Sequence, residues 1–247
     1  MEEPTRLTRA LLACGIVGGP LYVTVTLVQA LTRDGFDLRQ HRFTALTTGD
    51  LGWIHQSNML WVGGLTMLMA IGVRRKMQTG RGAVWGPRLL GLVGVAYFVG
   101  GLLSADPVAG FPPGTTSEMV QTSWQGITQN ASRGVSTLFL VSASGVIAAW
   151  FAAEGSRSWA WFYAAAIPTV FAALGFVGFA IGINPAALAF LATPWIWMTT
   201  LAVHLFRRGS PTQSSSASTH SRSADSISPD ARLGARTWAP SARHGDR

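Results

Sequence analysis

Six stretches of the chain stay apolar for long enough to cross a hydrocarbon core, which takes about 20 residues of helix. They lie near 10–31, 53–73, 88–104, 130–151, 159–182 and 186–206. The third is short at its apolar centre, "LLGLVGVAYFVGGLLS", and the second opens on polar residues, so both require a thin or tilted crossing. Only "INPA" parts the fifth from the sixth. Asn184-Pro185 is a turn signal, because proline removes a backbone donor and restricts the residue before it, and a tight helical hairpin is predicted there. The expected fold is an all-α membrane protein, a six-helix transmembrane bundle over residues 1–208. Beyond Arg208 the pattern stops. Residues 209–247 are rich in Ser, Arg and Pro with almost no large apolar side chain, too little to offset chain entropy, and are expected to form a disordered cytoplasmic tail.

Basic residues then set the threading, since cytoplasmic loops retain positive charge. Arg6 and Arg9, "RRK" at 74–76 with Arg81 and Arg88, Arg157, and Arg207 with Arg208 all fall on one side. The other side holds Arg33, Arg39, Arg42 and Arg133 beside Asp34, Asp37, Asp50, Asp106 and Glu118. Both termini are therefore expected in the cytoplasm. "LVQA", ending at Ala30, faintly resembles a signal-peptidase site, but the preceding apolar run is too long and is broken by Tyr22, Thr24 and Thr26; an uncleaved first span is the preferred reading.

Composition agrees with the pattern. Hydrophobic residues make up 48% and charged residues 12%, against about a quarter charged in soluble domains. The net charge of +8 raises nucleic acid as a partner, but the basic residues are scattered over short loops and the tail, with no basic stripe interleaved with aromatics, so none is expected. Lys76 is the single lysine in an arginine-rich chain, a bias of GC-rich bacterial genomes, and the expected location is the bacterial plasma membrane, with membrane lipids as partners. The one cysteine, Cys14, lies inside the first apolar run, which leaves no disulfide framework and no thiolate metal site. Ten tryptophans, many near predicted span ends, fit an aromatic belt and call for no cofactor. Gly178 and Gly182 have GxxxG spacing, which suits a dimer face or, more readily, packing within the chain; the oligomeric state stays open.

Polar residues inside spans are costly, so their placement is the most informative feature. Tyr22, Thr26, Gln29 and Arg33 form one stripe along the first helix; Gln125, Gln129, Arg133 and Ser136 form another on the fourth; His55 and Asn58 share a face of the second. All three stripes meet at the outer leaflet, which predicts that they face one another around an outward-opening pocket. Arg133, in the first turn of its predicted span, needs an anion, and Asp106, Asp50 and Asp37 are the available acids. A structural salt bridge or a snorkelling arginine explains it equally well. His204, beside the cytoplasmic arginines, reads as an interfacial anchor.

Familiar catalytic patterns are missing: no HExxH, GxSxG, P-loop, CxxC or metal-spaced histidine pair. Three blocks do carry a resemblance. "DGFDLRQHRFTALTTGDLGWIHQSNMLWVGG" follows the first helix, "WGPRLLGLVGVAYFVGGLLSADPVAGFPPG" covers 85–114, and "GITQNASRG" covers 126–134. Together they resemble the DUF998 family of bacterial multi-pass membrane proteins, over nearly all of residues 10–206. The resemblance implies six helices and singles out Asp37, Arg39, His41, Trp53, Asp106, Pro107 and Asn130. It also implies a histidine where this chain has Gln129, whose amide can hydrogen bond but cannot act as a general base.

Two functional readings follow. In the first, the outward pocket binds a small molecule or lipid headgroup through Asp37, Arg39, His41, Arg42, Asn58, Gln129, Asn130 and Arg133, with no metal. In the second, a membrane enzyme of cyclase or hydrolase type acts on a lipid-like or isoprenoid substrate, with Asp106 or Asp50 as acid and His41 as partner. A transporter is disfavoured by the lack of an internal repeat. The plainest alternative is a polar loop cap that closes the outer end of the bundle.

Overall fold

The computed structural model describes residues 3–208; the predicted tail over 209–247 lies outside the described residues. Among the described residues the chain forms six α-helices and no strand: α1 Glu3–Thr32, α2 Gly52–Lys76, α3 Gly82–Gly101, α4 Trp124–Ala153, α5 Arg157–Ala180 and α6 Pro185–Arg207. The helices outrun the apolar runs mostly at polar ends. α4 begins at Trp124, six residues before its apolar run, because Ser123 caps it by accepting the Gly126 N–H at 3.0 Å. α6 starts as the Asn-Pro signal predicts, with Asn184 Oδ1 accepting the Ala187 N–H at 3.1 Å and Pro185 in the first turn.

Five of the helices, all but α2, are long and apolar enough to cross a membrane. α2 has the length, but His55, Gln56 and Asn58 at one end and Arg74, Arg75 and Lys76 at the other dilute its apolar character. Large apolar side chains such as Val17, Trp61, Leu138 and Phe179 stand exposed around the bundle, as a lipid-facing surface requires.

Successive helices pack side by side, and α1 also packs against α6, so the six close into a ring. Tyr22 of α1 is its hub. Its ring meets His55 of α2 at 5.8 Å, Tyr97 of α3 at 5.7 Å and Trp195 of α6 at 5.0 Å, and its hydroxyl accepts a hydrogen bond from Arg133 of α4 at 3.1 Å. α5 lies outside this hub and buries only Ala160, Tyr163 and Gly178. Gly178 packs on Pro185 of the following turn, while Gly182 lies past the end of α5, so the GxxxG spacing does not form a continuous helix face. α2 and α3 approach closely because both contact points are glycine: a Cβ on Gly63 would sit 2.7 Å from the Gly94 carbonyl oxygen.

The segments 33–51 and 102–123 join helices at one end of the ring. At the opposite end, Lys76 Nζ donates to the Arg208 carbonyl at 2.7 Å, Arg208 pairs with Glu154 at 3.3 Å, and Trp150 Nε1 donates to the Thr79 carbonyl at 3.0 Å. His204, expected as an interfacial anchor, lies here with Nδ1 3.1 Å from the Tyr163 hydroxyl and its ring against Trp159.

Candidate functional site

The loop end is closed by a folded cap. Arg33, one residue past α1, donates from Nη1 to the Leu46 carbonyl and from Nη2 to the Thr48 carbonyl, both at 2.7 Å, and lies over the Phe111 ring at 4.7 Å. Burial lowers its pKa from the usual guanidinium value, while nearby Asp50 acts in the opposite direction. A short 3-10 helix, Phe43–Thr47, is thereby held over the bundle, with Phe43, Leu46 and Phe111 buried beneath the loops.

His41 is buried between Phe36 and Phe111. Its Nδ1 accepts the Asp37 backbone N–H at 2.9 Å, which obliges the neutral ring to carry its proton on Nε2, and Nε2 lies 3.2 Å from the Ala109 carbonyl oxygen. Both nitrogens are thus occupied by main chain. Asp37 closes an Asx turn, accepting the Arg39 N–H at 2.8 Å and Gln40 Nε2 at 2.7 Å, and these two bonds lower its carboxyl pKa. Arg39 and Asp50 are exposed. The pairing of His41 with Asp106 or Asp50 expected for an acid/base enzyme is not what the loops assemble. His41 and Asp106 do line one small cavity of about 230 Å³, but no hydrogen bond joins them, and the Asp106 carboxylate instead accepts the Ser123 N–H at 3.1 Å, where it also offsets the positive end of α4.

The three polar stripes face one another as their spacing predicts, but mostly to zip helices together. Asn58 Nδ2 donates to the Tyr22 carbonyl at 3.0 Å and to Thr26 Oγ1 at 3.3 Å. Gln129, fully buried, donates to Thr47 Oγ1 at 3.2 Å; that hydroxyl already gives its proton to the Thr44 carbonyl, so the amide orientation is fixed and Gln129 Oε1 has no partner. Gln29 donates to the Leu51 carbonyl and its Oε1 is likewise unpartnered. Gln125 alone of these stripes points outward and is exposed.

Arg133 differs from all of these. Half-buried, it has Tyr22 Oη as its hydrogen-bond acceptor and lies 4.6 Å from the centre of the Tyr97 ring. None of the acids expected to meet it does so: Asp37 and Asp106 are spent on backbone N–H groups, Asp50 lies by Arg33, and no carboxylate among the described residues pairs with it. Two neutral phenols hold the guanidinium without cancelling its charge. Arg133 opens onto a cavity of about 450 Å³ whose polar side includes Arg42, Asn130, Ser136, Thr137 and Asn184 and whose apolar side is Phe43, Ala187, Phe190, Leu191 and Pro194. Arg42, Thr44 and Asn130 border this cavity and the smaller one alike.

The loop blocks that build this end are the ones that carry the resemblance noted in the sequence, and a family model described as "Protein of unknown function (DUF998)" matches residues 16–204. The chain belongs to the DUF998 family. No curated protein and no solved structure matches it. In this DUF998 member Tyr97, Phe190 and Asn184 are cavity residues that sequence reasoning passed over. Tyr97 is the one polar group in "LVGVAYFVGG" and stands directly opposite the stripe of α1, a signal that a polar atom in an apolar span supplies.

Proposed function

We propose that this membrane protein binds an anionic ligand, a small molecule or a lipid headgroup, in the cavity at its loop end, with Arg133 as the anchor. The observation that carries this reading is the uncompensated charge: a half-buried guanidinium held by Tyr22 and Tyr97, open to a cavity, with no carboxylate in ion-pair range among the described residues. Burying a charge without a counter-charge is costly, and an arriving anion removes that cost while using the guanidinium donors that Tyr22 leaves free. Arg42, exposed on the rim, adds a second positive charge, and Asn130 and Thr137 add neutral hydrogen-bonding groups. The clustering of arginine and lysine at the opposite end supports a cytoplasmic position for that end, an outward-facing cavity and residence in the cell membrane.

The test is extraction of the purified full-length protein with organic solvent and identification of what it releases. Wild-type protein is expected to carry close to one equivalent of an anionic compound that Arg133→Gln protein lacks. Release of a neutral compound alone, or of the same anion from both proteins, overturns the reading.

A further inference from the structure

Resting on that anion site, we propose that its ligand is an anionic amphiphile, a phosphodiester lipid of the surrounding bilayer, which reaches Arg133 sideways between α4 and α6 and not down the bundle axis. Three features of the structure carry this.

The first is the route. Along the axis the cap obstructs access: Phe43, Leu46 and Phe111 are buried under the loops, and Arg33 fastens the 3-10 helix across the ring. At the side the ring is joined only through α5. α5 packs against both α4 and α6, which barely touch each other, and the cavity is lined from α4 and α6 with no residue of α5. Gly134 and Phe190, on the two sides of this gap, are exposed, Phe190 at 46%.

The second is depth. Arg133 stands twenty residues from the end of α4 at Ala153, about 30 Å at 1.5 Å per residue, which is the thickness of a hydrocarbon core. With Glu154, Arg157 and Arg208 marking one interface, Arg133 therefore falls at the opposite boundary between headgroups and acyl chains. Pro194 stands thirteen residues from Arg207, about 20 Å from the same interface. The cavity thus runs from headgroup level some 10 Å into the leaflet.

The third is the order of chemistry along that depth. The charged and polar groups, Arg133, Asn130 and Asn184, sit at the headgroup end, with the hydroxyls of Ser136 and Thr137 one turn deeper along α4, while the wall contributed by α6 is apolar. Phe190, Leu191 and Pro194 follow one another inward along α6, with the Phe171 ring of α5 packed on Phe190 at 4.9 Å. A water-soluble anion gains nothing from such a wall, whereas a lipid places its phosphate on the guanidinium and its first methylenes on Phe190. A volume of about 450 Å³ holds a headgroup and the start of one chain, with the tails left in the bilayer.

The experiment uses full-length protein in a neutral maltoside detergent and native mass spectrometry with three probes: dioleoyl phosphatidylglycerol, dioleoylglycerol, which has the same chains and no phosphate, and glycerophosphoglycerol, the first lipid's headgroup without chains. Wild type is expected to prefer phosphatidylglycerol over dioleoylglycerol by about tenfold, the equivalent of one charge-assisted bond, and to bind the bare headgroup about a hundredfold more weakly. Arg133→Gln should erase the preference between the two lipids. Gly134→Phe fills the gap: a Cβ at Gly134 meets no atom within 4 Å, so the ring enters open space, and phosphatidylglycerol binding should fall by about tenfold with the melting temperature unchanged. Equal binding of phosphatidylglycerol and the bare headgroup, or no effect of Gly134→Phe, overturns lateral lipid binding while leaving the anion site standing. Equal binding of the two lipids by wild type overturns the anion site itself.

Discussion

Replacing Arg33 with methionine should release the cap while leaving the helices in place. The side chain makes two hydrogen bonds at 2.7 Å, to the carbonyls of Leu46 and Thr48, and covers the Phe111 ring at 4.7 Å. Bonds from a charged donor are worth about 1.5–3 kcal/mol each and an exposed cation–π contact about 0.5–1. Arg33 is only half-buried, which puts each bond at the low end, and methionine retains part of the packing on Phe111. The net loss is therefore about 3 kcal/mol, borne by the segment 36–51 and not by the ring of helices. At about 1.4 kcal/mol per factor of ten, that is a hundredfold rise in the local opening equilibrium. Hydrogen exchange read by mass spectrometry on full-length protein in detergent measures it directly: amides of His41, Ala45 and Thr48, bonded within the cap, should exchange about a hundredfold faster, while those of α1 and α3 are unchanged. Arg39→Met, at an exposed arginine in the same loop, should do nothing. A rise below threefold for Arg33→Met, or an equal rise for Arg39→Met, refutes the assignment of Arg33 as the fastener.

Gly63→Ala should destabilise the α2–α3 contact by about 1–3 kcal/mol, seen as a lower melting temperature, whereas Gly64→Ala, with open space at its Cβ, should be within about 0.5 kcal/mol of wild type. Gln129→Leu removes an amide whose Oε1 has no partner and leaves Thr47 Oγ1 bonded to the Thr44 carbonyl and the Ala105 N–H; thermal stability should be unchanged or rise by up to about 1 kcal/mol, and a large loss would show that Oε1 is satisfied after all. The Asx turn at Asp37 should respond to acid. Its folded-state pKa is depressed, so its contribution is complete above the ordinary carboxylate pKa of about 3.9 and is lost as pH falls through the lower folded value. Exchange of the Arg39 amide should accelerate only in that acidic window, and Asp37→Asn should remove the acid response; acceleration near pH 6 would contradict it.

Much of the architecture was legible because the physics that sets it is local. A membrane span must satisfy its own backbone, so apolar length reports helices directly, and the Asn-Pro turn before α6 and the glycine contacts of α2 and α3 are chemistry visible in a few residues. Helix ends were less legible. α3 begins six residues before its apolar run and carries Pro87 in its second turn, because the lead-in "GAVWGP", with two glycines and a proline, reads as a loop and carries no periodic apolar signal to mark it as helix.

The candidate site was legible in position and misleading in detail, and the reason is general to polar groups in membranes. A polar residue buried in a span needs a partner, and neither its type nor its spacing tells whether that partner is another helix or a ligand. Asn58 and Arg133 look equivalent in the sequence, each on a polar stripe near one end of a span. In the fold the Asn58 Nδ2 group is matched by the Tyr22 carbonyl and Thr26, a neutral donor meeting neutral acceptors, and no charge is left over. Arg133 also meets Tyr22, but a phenol offers an acceptor and no charge, so the guanidinium keeps a full positive charge at the rim of a cavity. Spacing alone put acids within loop reach of it. Only the folded loops show that Asp37 and Asp106 accept backbone N–H groups that no other side chain serves. The residue worth perturbing is therefore the one whose charge, and not merely whose hydrogen bonds, the protein leaves uncompensated.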